Sequence, residues 1–194
     1  MLDRTQFLVK ERVGFLKLVD VYDIFDPATG QQIGIARENP SAIWKYLRLI
    51  IDKRVLPTRI EVAEFPSERL LLTMQRRGFF FRAKVHIQGP SGQPLGYFHS
   101  KLFSLGGGFW VYDHQGQQVA EIRGNWIGWN FRFLDATGRE LGQVTKKWAG
   151  IGKELFTTAD NYMIVLNPEQ SSPAASALLL AAGLAIDMVF KEKQ

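Results

Sequence analysis

Tyr112-Asp113-His114-Gln115-Gly116-Gln117-Gln118-Val119-Ala120 and Leu134-Asp135-Ala136-Thr137-Gly138-Arg139-Glu140-Leu141-Gly142 are one pattern written twice. Each is a strand end, a turn closing on glycine, two mostly polar residues, and a new strand opening on an apolar residue. The pattern occurs twice more upstream. One copy is Phe25-Asp26-Pro27-Ala28-Thr29-Gly30-Gln31-Gln32-Ile33-Gly34, the other Ile87-Gln88-Gly89-Pro90-Ser91-Gly92-Gln93-Pro94-Leu95-Gly96. Three copies carry aspartate where the turn begins: Asp26, Asp113 and Asp135. An aspartate carboxylate accepts turn N–H groups, and glycine supplies the positive φ that a tight hairpin needs. These aspartates therefore read as turn formers rather than catalytic acids.

Working outward from the turns, the flanks alternate with the period of a strand. In Trp129-Asn130-Phe131-Arg132-Phe133 the aromatics share one face and the polar residues the other. Between residues 79 and 87, Phe79, Phe81, Ala83, Val85 and Ile87 share a face opposite Arg82, Lys84 and His86. One apolar and one polar face belong to an antiparallel sheet or barrel with a single buried side. The turn glycines fall at 30, 92, 116 and 138, so the first step is longer than the others. Part of that extra length reads as a helix. Asn39-Pro40 suits a cap and first turn, and Ile43, Trp44, Leu47, Ile50 and Ile51 form an apolar stripe opposite Lys45, Arg48 and Asp52. Two further strands are expected near Thr58–Glu64 and Arg69–Met74. About a dozen short strands result. No linker or low-complexity stretch divides them, so residues 1–194 are expected to form one domain.

Pro173–Phe190 is apolar nearly all round. Ser171 or Ser172 can cap it, and Pro173 sits well in the first turn. Such a helix is either buried in protein or crosses a bilayer. Eighteen residues reach roughly 27 Å, the low end for crossing. Asp187 inside the segment would be costly in hydrocarbon. The reading favoured is a core helix.

The composition narrows the chemistry. There is no cysteine, which removes disulfides, thiolate ligands, cysteine nucleophiles and palmitoyl anchors. His86, His99 and His114 stand in or beside different strands without ligand spacing. Gly106-Gly107-Gly108 reads as a hairpin turn, and no phosphate loop or Gly-x-Ser-x-Gly elbow is present. Neither catalysis nor a cofactor is expected. Residues 1–6 contain no apolar run of the kind that opens a secretory signal. The net charge of +5 favours anionic partners. Two basic groups stand out: Arg76, Arg77, Arg82 and Lys84, then Lys146, Lys147 and Lys153.

From about Leu70 to Phe190 the chain resembles the phospholipid scramblase family and its LURP-one-related and tubby C-terminal-like relatives. The resemblance rests on the repeated turns, on the run Gly138 to Gly150, on Phe156-Thr157-Thr158-Ala159-Asp160-Asn161-Tyr162, and on the terminal apolar segment. It implies a mainly β fold: a closed antiparallel barrel of about twelve strands with the C-terminal helix buried inside. A wide barrel needs such a filling. Animal scramblases carry an acidic calcium loop after the Asp-Asn pair. Here Asp160 and Asn161 lead into Met163-Ile164-Val165-Leu166-Asn167-Pro168-Glu169, too few oxygen ligands for calcium. Neither calcium control nor a metal site is therefore carried over.

The function expected is a non-enzymatic cytoplasmic, peripheral membrane domain that binds anionic phospholipid, or a membrane-associated partner. Arg76, Arg77, Arg82, Lys84, Lys146 and Lys147 are the candidate headgroup ligands. Trp44, Leu47 and Ile51 are the candidate membrane-interface residues. Two alternatives stay open. One is a lipid-translocating protein spanning the bilayer with 173–190. The other is a regulatory barrel binding nucleic acid, the less favoured polyanion.

Overall fold

The computed structural model describes residues 1–12, 19–47, 51, 56–77, 84–101, 107–125, 128–146, 161–170 and 172–190. Twelve antiparallel strands close into a barrel: β1 (Gln6–Glu11), β2 (Val21–Phe25), β3 (Gln32–Glu38), β4 (Thr58–Glu64), β5 (Leu70–Arg76), β6 (Lys84–Gln88), β7 (Pro94–Ser100), β8 (Gly108–Asp113), β9 (Gln118–Asn125), β10 (Asn130–Asp135), β11 (Glu140–Thr145) and β12 (Asn161–Leu166). Each pairs with its neighbours in sequence, and β1 pairs with β12 to seal the ring. The short helix α1 (Ala42–Leu47) lies between β3 and β4, and α2 (Pro173–Phe190) follows β12.

The repeated turns are β-hairpins. Gly30, Gly92, Gly116 and Gly138 adopt φ of 69°, 80°, 82° and 85°. The Asp135 carboxylate accepts N–H groups from Thr137 (2.8 Å) and Arg139 (3.0 Å), and Asp113 does the same for Gln115 and Gln117. These turns lie between β2–β3, β6–β7, β8–β9 and β10–β11. Strands in a sequential barrel alternate in direction, so all four lie at one end. Longer connections, including α1, occupy the other.

α2 runs from the hairpin end to the long-loop end. The Ser172 hydroxyl accepts the Ala175 N–H at 3.1 Å, which caps the first turn with Pro173 at the first helical position. The Ser176 hydroxyl then donates to the Arg4 carbonyl. Every residue from Leu179 to Met188 is buried. Contacts come from walls on different sides. A Cβ on Gly183 would sit 2.5 Å from Ile164 on β12, Tyr22 of β2 donates to Asp187 at 2.6 Å, and Arg76 of β5 donates to the Met188 carbonyl. A helix touched from several sides of a closed ring fills it. The inward residues of alternate strand positions, such as Leu72, Met74, Val85, Ile87, Phe98, Phe109, Phe131 and Phe133, complete the core. No helix among the described residues is long and apolar enough to cross a membrane.

The sequence reading of the first helix needs correction at its start. Asn39, just past β3, still donates its N–H to the Arg59 carbonyl at 2.8 Å, and the helix begins after Ser41. The Ile51 N–H reaches the Leu47 carbonyl at 2.8 Å. The strand expected from Arg69 runs instead from Leu70 to Arg76. Phe79, Phe81 and Ala83 lie outside the described residues, as do Arg48, Ile50, Asp52 and Gly106.

Candidate functional site

At the long-loop end, α1 and the rims of β4 and β5 enclose an open cleft of about 530 Å³. Its walls are Asn39, Ser41 and Trp44 on one side, and Pro57, Thr58, Arg59, Glu61, Gln75, Arg76 and Arg77 on the other. A volume of this size suits a small ligand or a lipid headgroup. The sheet register sets the wall. Arg59 lies opposite Gln75 and Thr58 opposite Arg76, so alternation turns Arg59 and Gln75 outward while Thr58 and Arg76 face inward.

Among the described residues, three guanidinium groups face this cleft against one carboxylate. Arg59 pairs with Glu61 at 2.9 Å. Arg77 is exposed and pairs with no carboxylate among the described residues. Arg76 forms part of the floor and is only 5% exposed. Its Nη2 donates to Thr58 Oγ1 at 3.2 Å and its Nη1 to the Met188 carbonyl at 3.4 Å. A cation at that carbonyl also meets the negative end of the α2 dipole. Elsewhere on the wall, cations are neutralised. Arg12 forks onto Asp23, Arg139 pairs with Asp135, Arg69 with Glu64, and Lys101 and Arg123 share Glu121. Among the described residues, Arg77 is thus the cleft cation with no carboxylate beside it, while these wall cations are paired.

The candidate ligands named from the sequence are dispersed. Arg76 is not part of a solvent-facing patch. It shares the inward face of β5 with Leu72 and Met74, a placement that the period-2 pattern of Leu72-Thr73-Met74-Gln75-Arg76 already contained. Lys84 is on the outer face of β6 with its Nζ 3.8 Å from the Tyr97 ring centroid. It still shares a field with Arg77. Burial first, then Lys84 and Arg77, hold His86 below the ordinary histidine value. Lys146 stands over the Trp129 ring at 4.2 Å, just after β11, across the barrel from β5. Among the described residues, the members of the two basic groups therefore do not converge. Arg82 and Lys147 lie outside the described residues, as do Lys153 and Asp160. Asn161 opens β12 and is 5% exposed, paired in register with Lys10. Among the described residues no cluster of three or more His, Asp or Glu could hold a metal.

Trp44 and Ile51 are exposed at 36% and 37%, Leu47 is half-buried, and Tyr46 is 73% exposed. Sequence reasoning found Trp44, Arg76 and Arg77 but not that they meet. It missed Arg59, Glu61 and Gln75. Their outward alternation beside a helix that starts from the same rim is the signal that would have found them.

The Scramblase family model matches residues 21–193. Phospholipid scramblase 1 of Mus musculus is 28% identical over 118 residues, covering 57% of this chain and 35% of its own length. Phospholipid scramblase 2 of Homo sapiens is 27% identical over 117 residues, 57% of this chain and 39% of its own. That of Bos taurus is 29% identical over 117 residues. The chain spans little more than a third of the length of these curated relatives. No solved structure matches it at a significant level. With the family match running from the start of β2 to beyond the core helix, the chain belongs to the scramblase family.

Proposed function

We propose that the barrel binds anionic membrane phospholipid in the cleft between α1 and β4–β5, as a non-enzymatic cytoplasmic domain resting peripherally on the membrane. The observation that carries this reading is the cleft itself, whose described lining has three guanidiniums, one carboxylate, and Trp44 at the rim. Guanidinium groups grip phosphate and carboxylate through paired N–H donors. Trp44, Tyr46 and Ile51 beside them are the side chains that settle at a headgroup boundary. The relatives named as phospholipid scramblases support a phospholipid ligand.

The test is flotation on liposomes with and without phosphatidylserine or a phosphoinositide. Wild type should float with anionic vesicles at low salt and be released at about 0.5 M, since exposed charges are screened within about 10 Å. Arg59→Gln with Arg77→Gln should abolish flotation, each basic residue contributing about 1 kcal/mol at a charged surface. Trp44→Ala should weaken it with little change in its salt dependence. Equal flotation of the double variant would remove the cleft from the reading.

A further inference from the structure

Glu61 is out of place in a cleft that only has to hold phosphate. It stands on the outer face of β4 two residues from Arg59, and the two side chains meet at 2.9 Å. Both belong to the cleft lining, as does Arg77. The register sets their order. Thr58 pairs with Arg76 and Arg59 with Gln75, so from the long-loop end the wall presents Arg77, then Arg59, then Glu61. Successive outward positions on one strand are about 6.7 Å apart. Arg59 and Glu61 are 47% and 32% exposed, and an ion pair so open to water holds together weakly. Each partner is therefore ready to exchange the other for a ligand charge.

We propose that the cleft reads a phosphoserine headgroup: Arg77 takes the phosphate, and the Arg59–Glu61 pair opens to take the serine carboxylate and ammonium. This rests on the headgroup reading above and names the lipid. The α-carbon of serine carries a carboxylate and an ammonium side by side, the charge pattern that an adjacent guanidinium and carboxylate complement. The phosphate joins the headgroup to glycerol and so lies on the bilayer side. With the long-loop end on the membrane, the phosphate stays at Arg77 while the amino-acid end reaches along the wall to Arg59 and Glu61. Guanidinium grips phosphate and carboxylate through paired N–H donors, and a carboxylate accepts the ammonium hydrogens. Other headgroups fit less well. Phosphatidylglycerol has no ammonium for Glu61, phosphatidylethanolamine has no carboxylate for Arg59, and a polyphosphorylated inositol brings further phosphates that Glu61 repels.

Flotation of the full chain at low salt separates these lipids. Phosphatidylcholine vesicles carry equal shares of either phosphatidylserine or phosphatidylglycerol, which give the surface the same charge. Wild type should bind the phosphatidylserine vesicles about tenfold more tightly, a factor within reach of one charge-assisted hydrogen bond. Glu61→Gln should erase that preference in a direction that bulk charge does not explain. Removing a negative charge should tighten binding to phosphatidylglycerol, while binding to phosphatidylserine falls. N-acetylated phosphatidylserine lacks the ammonium and needs no variant. At matched surface charge, wild type should bind it no more tightly than phosphatidylglycerol. Equal binding of wild type to all three lipids, or a preference for phosphatidylserine that survives Glu61→Gln, would overturn the serine assignment and leave the anionic headgroup reading standing. No flotation on any of these vesicles would remove both.

Discussion

Asp187 and the two tyrosines around it separate a hydrogen bond that stabilises from a hydroxyl that does not. Tyr22 donates to Asp187 at 2.6 Å in the buried core. Tyr162 is equally buried, and its hydroxyl finds no hydrogen-bond partner among the described residues. Burial first, then the nearby Asp187, pushes both phenols well above their ordinary value, so both stay protonated. Tyr22→Phe should cost about 1.5–3 kcal/mol in urea denaturation, because it takes a donor from a buried acid. Tyr162→Phe should be neutral or mildly stabilising, since it removes a polar group with no partner to lose. Equal losses would show that packing of the rings, not the hydroxyls, sets the cost. A pH-dependent counterpart lies on the outer wall. The Arg123 fork, helped by Lys101, lowers Glu121 to about 2 from near 4.5. A depressed carboxylate stabilises fully above its unfolded value and loses that contribution as pH falls from about 4.5 toward 2. Glu121→Gln should therefore flatten the acid limb of stability between those pH values, measured by urea midpoints. At this scale the sequence was read well for the turn aspartates, whose partners are two and four residues away. It was read poorly for Arg76, because clustering in sequence was taken for clustering on one face. Alternation puts Arg76 inside and Lys84 outside the same wall.

Among the elements, α2 shows why so many small residues occur together. A Cβ on Gly183 would meet Ile164 Cδ1 at 2.5 Å and Cγ1 at 3.0 Å. Gly142 of β11 also lies close to α2, its Cβ position 2.8 Å from Leu179 Cδ2. The helix lies against β11 and β12 through these two gaps, a fit that composition hinted at without naming the wall. Gly183→Ala should gain about 1 kcal/mol of helix propensity and lose about 1–3 kcal/mol to overpacking, a net destabilisation near 1 kcal/mol. Adding Ile164→Val removes the clashing methyl. The double variant should be less destabilised than the sum of the singles, a coupling of about 1 kcal/mol in a double-mutant cycle. Strict additivity would mean that Ile164 already moves aside at no cost. The hairpins were legible because each is closed by residues adjacent in sequence. The cleft was not, because α1 meets β4 and β5 only once β3 and β4 have paired.

For the whole molecule, the decisive question is whether α2 fills the barrel or anchors it. The two roles predict opposite results for a chain ending at residue 172. An anchor can be cut away from a barrel that stays folded. A filling cannot, because the inward side chains of twelve strands then surround an empty space where the helix packed. Leu179, Leu180, Leu184, Ile186 and Met188 are all at most 6% exposed. At about 1.5–3 kcal/mol for each side chain, their burial contributes roughly 8–15 kcal/mol. That matches the entire net stability of an ordinary domain, about 5–15 kcal/mol. Loss of the Tyr22–Asp187 bond also takes the acceptor from the buried Tyr22 hydroxyl. The chain 1–172 should therefore be unfolded or aggregated, without the cooperative thermal transition and protected strand amides of the full chain. Adding a peptide of residues 173–190 should restore part of that protection, since it returns the missing core. A soluble, cooperatively folding 1–172 chain would show that the barrel stands without its helix, and would return 173–190 to the role of an anchor.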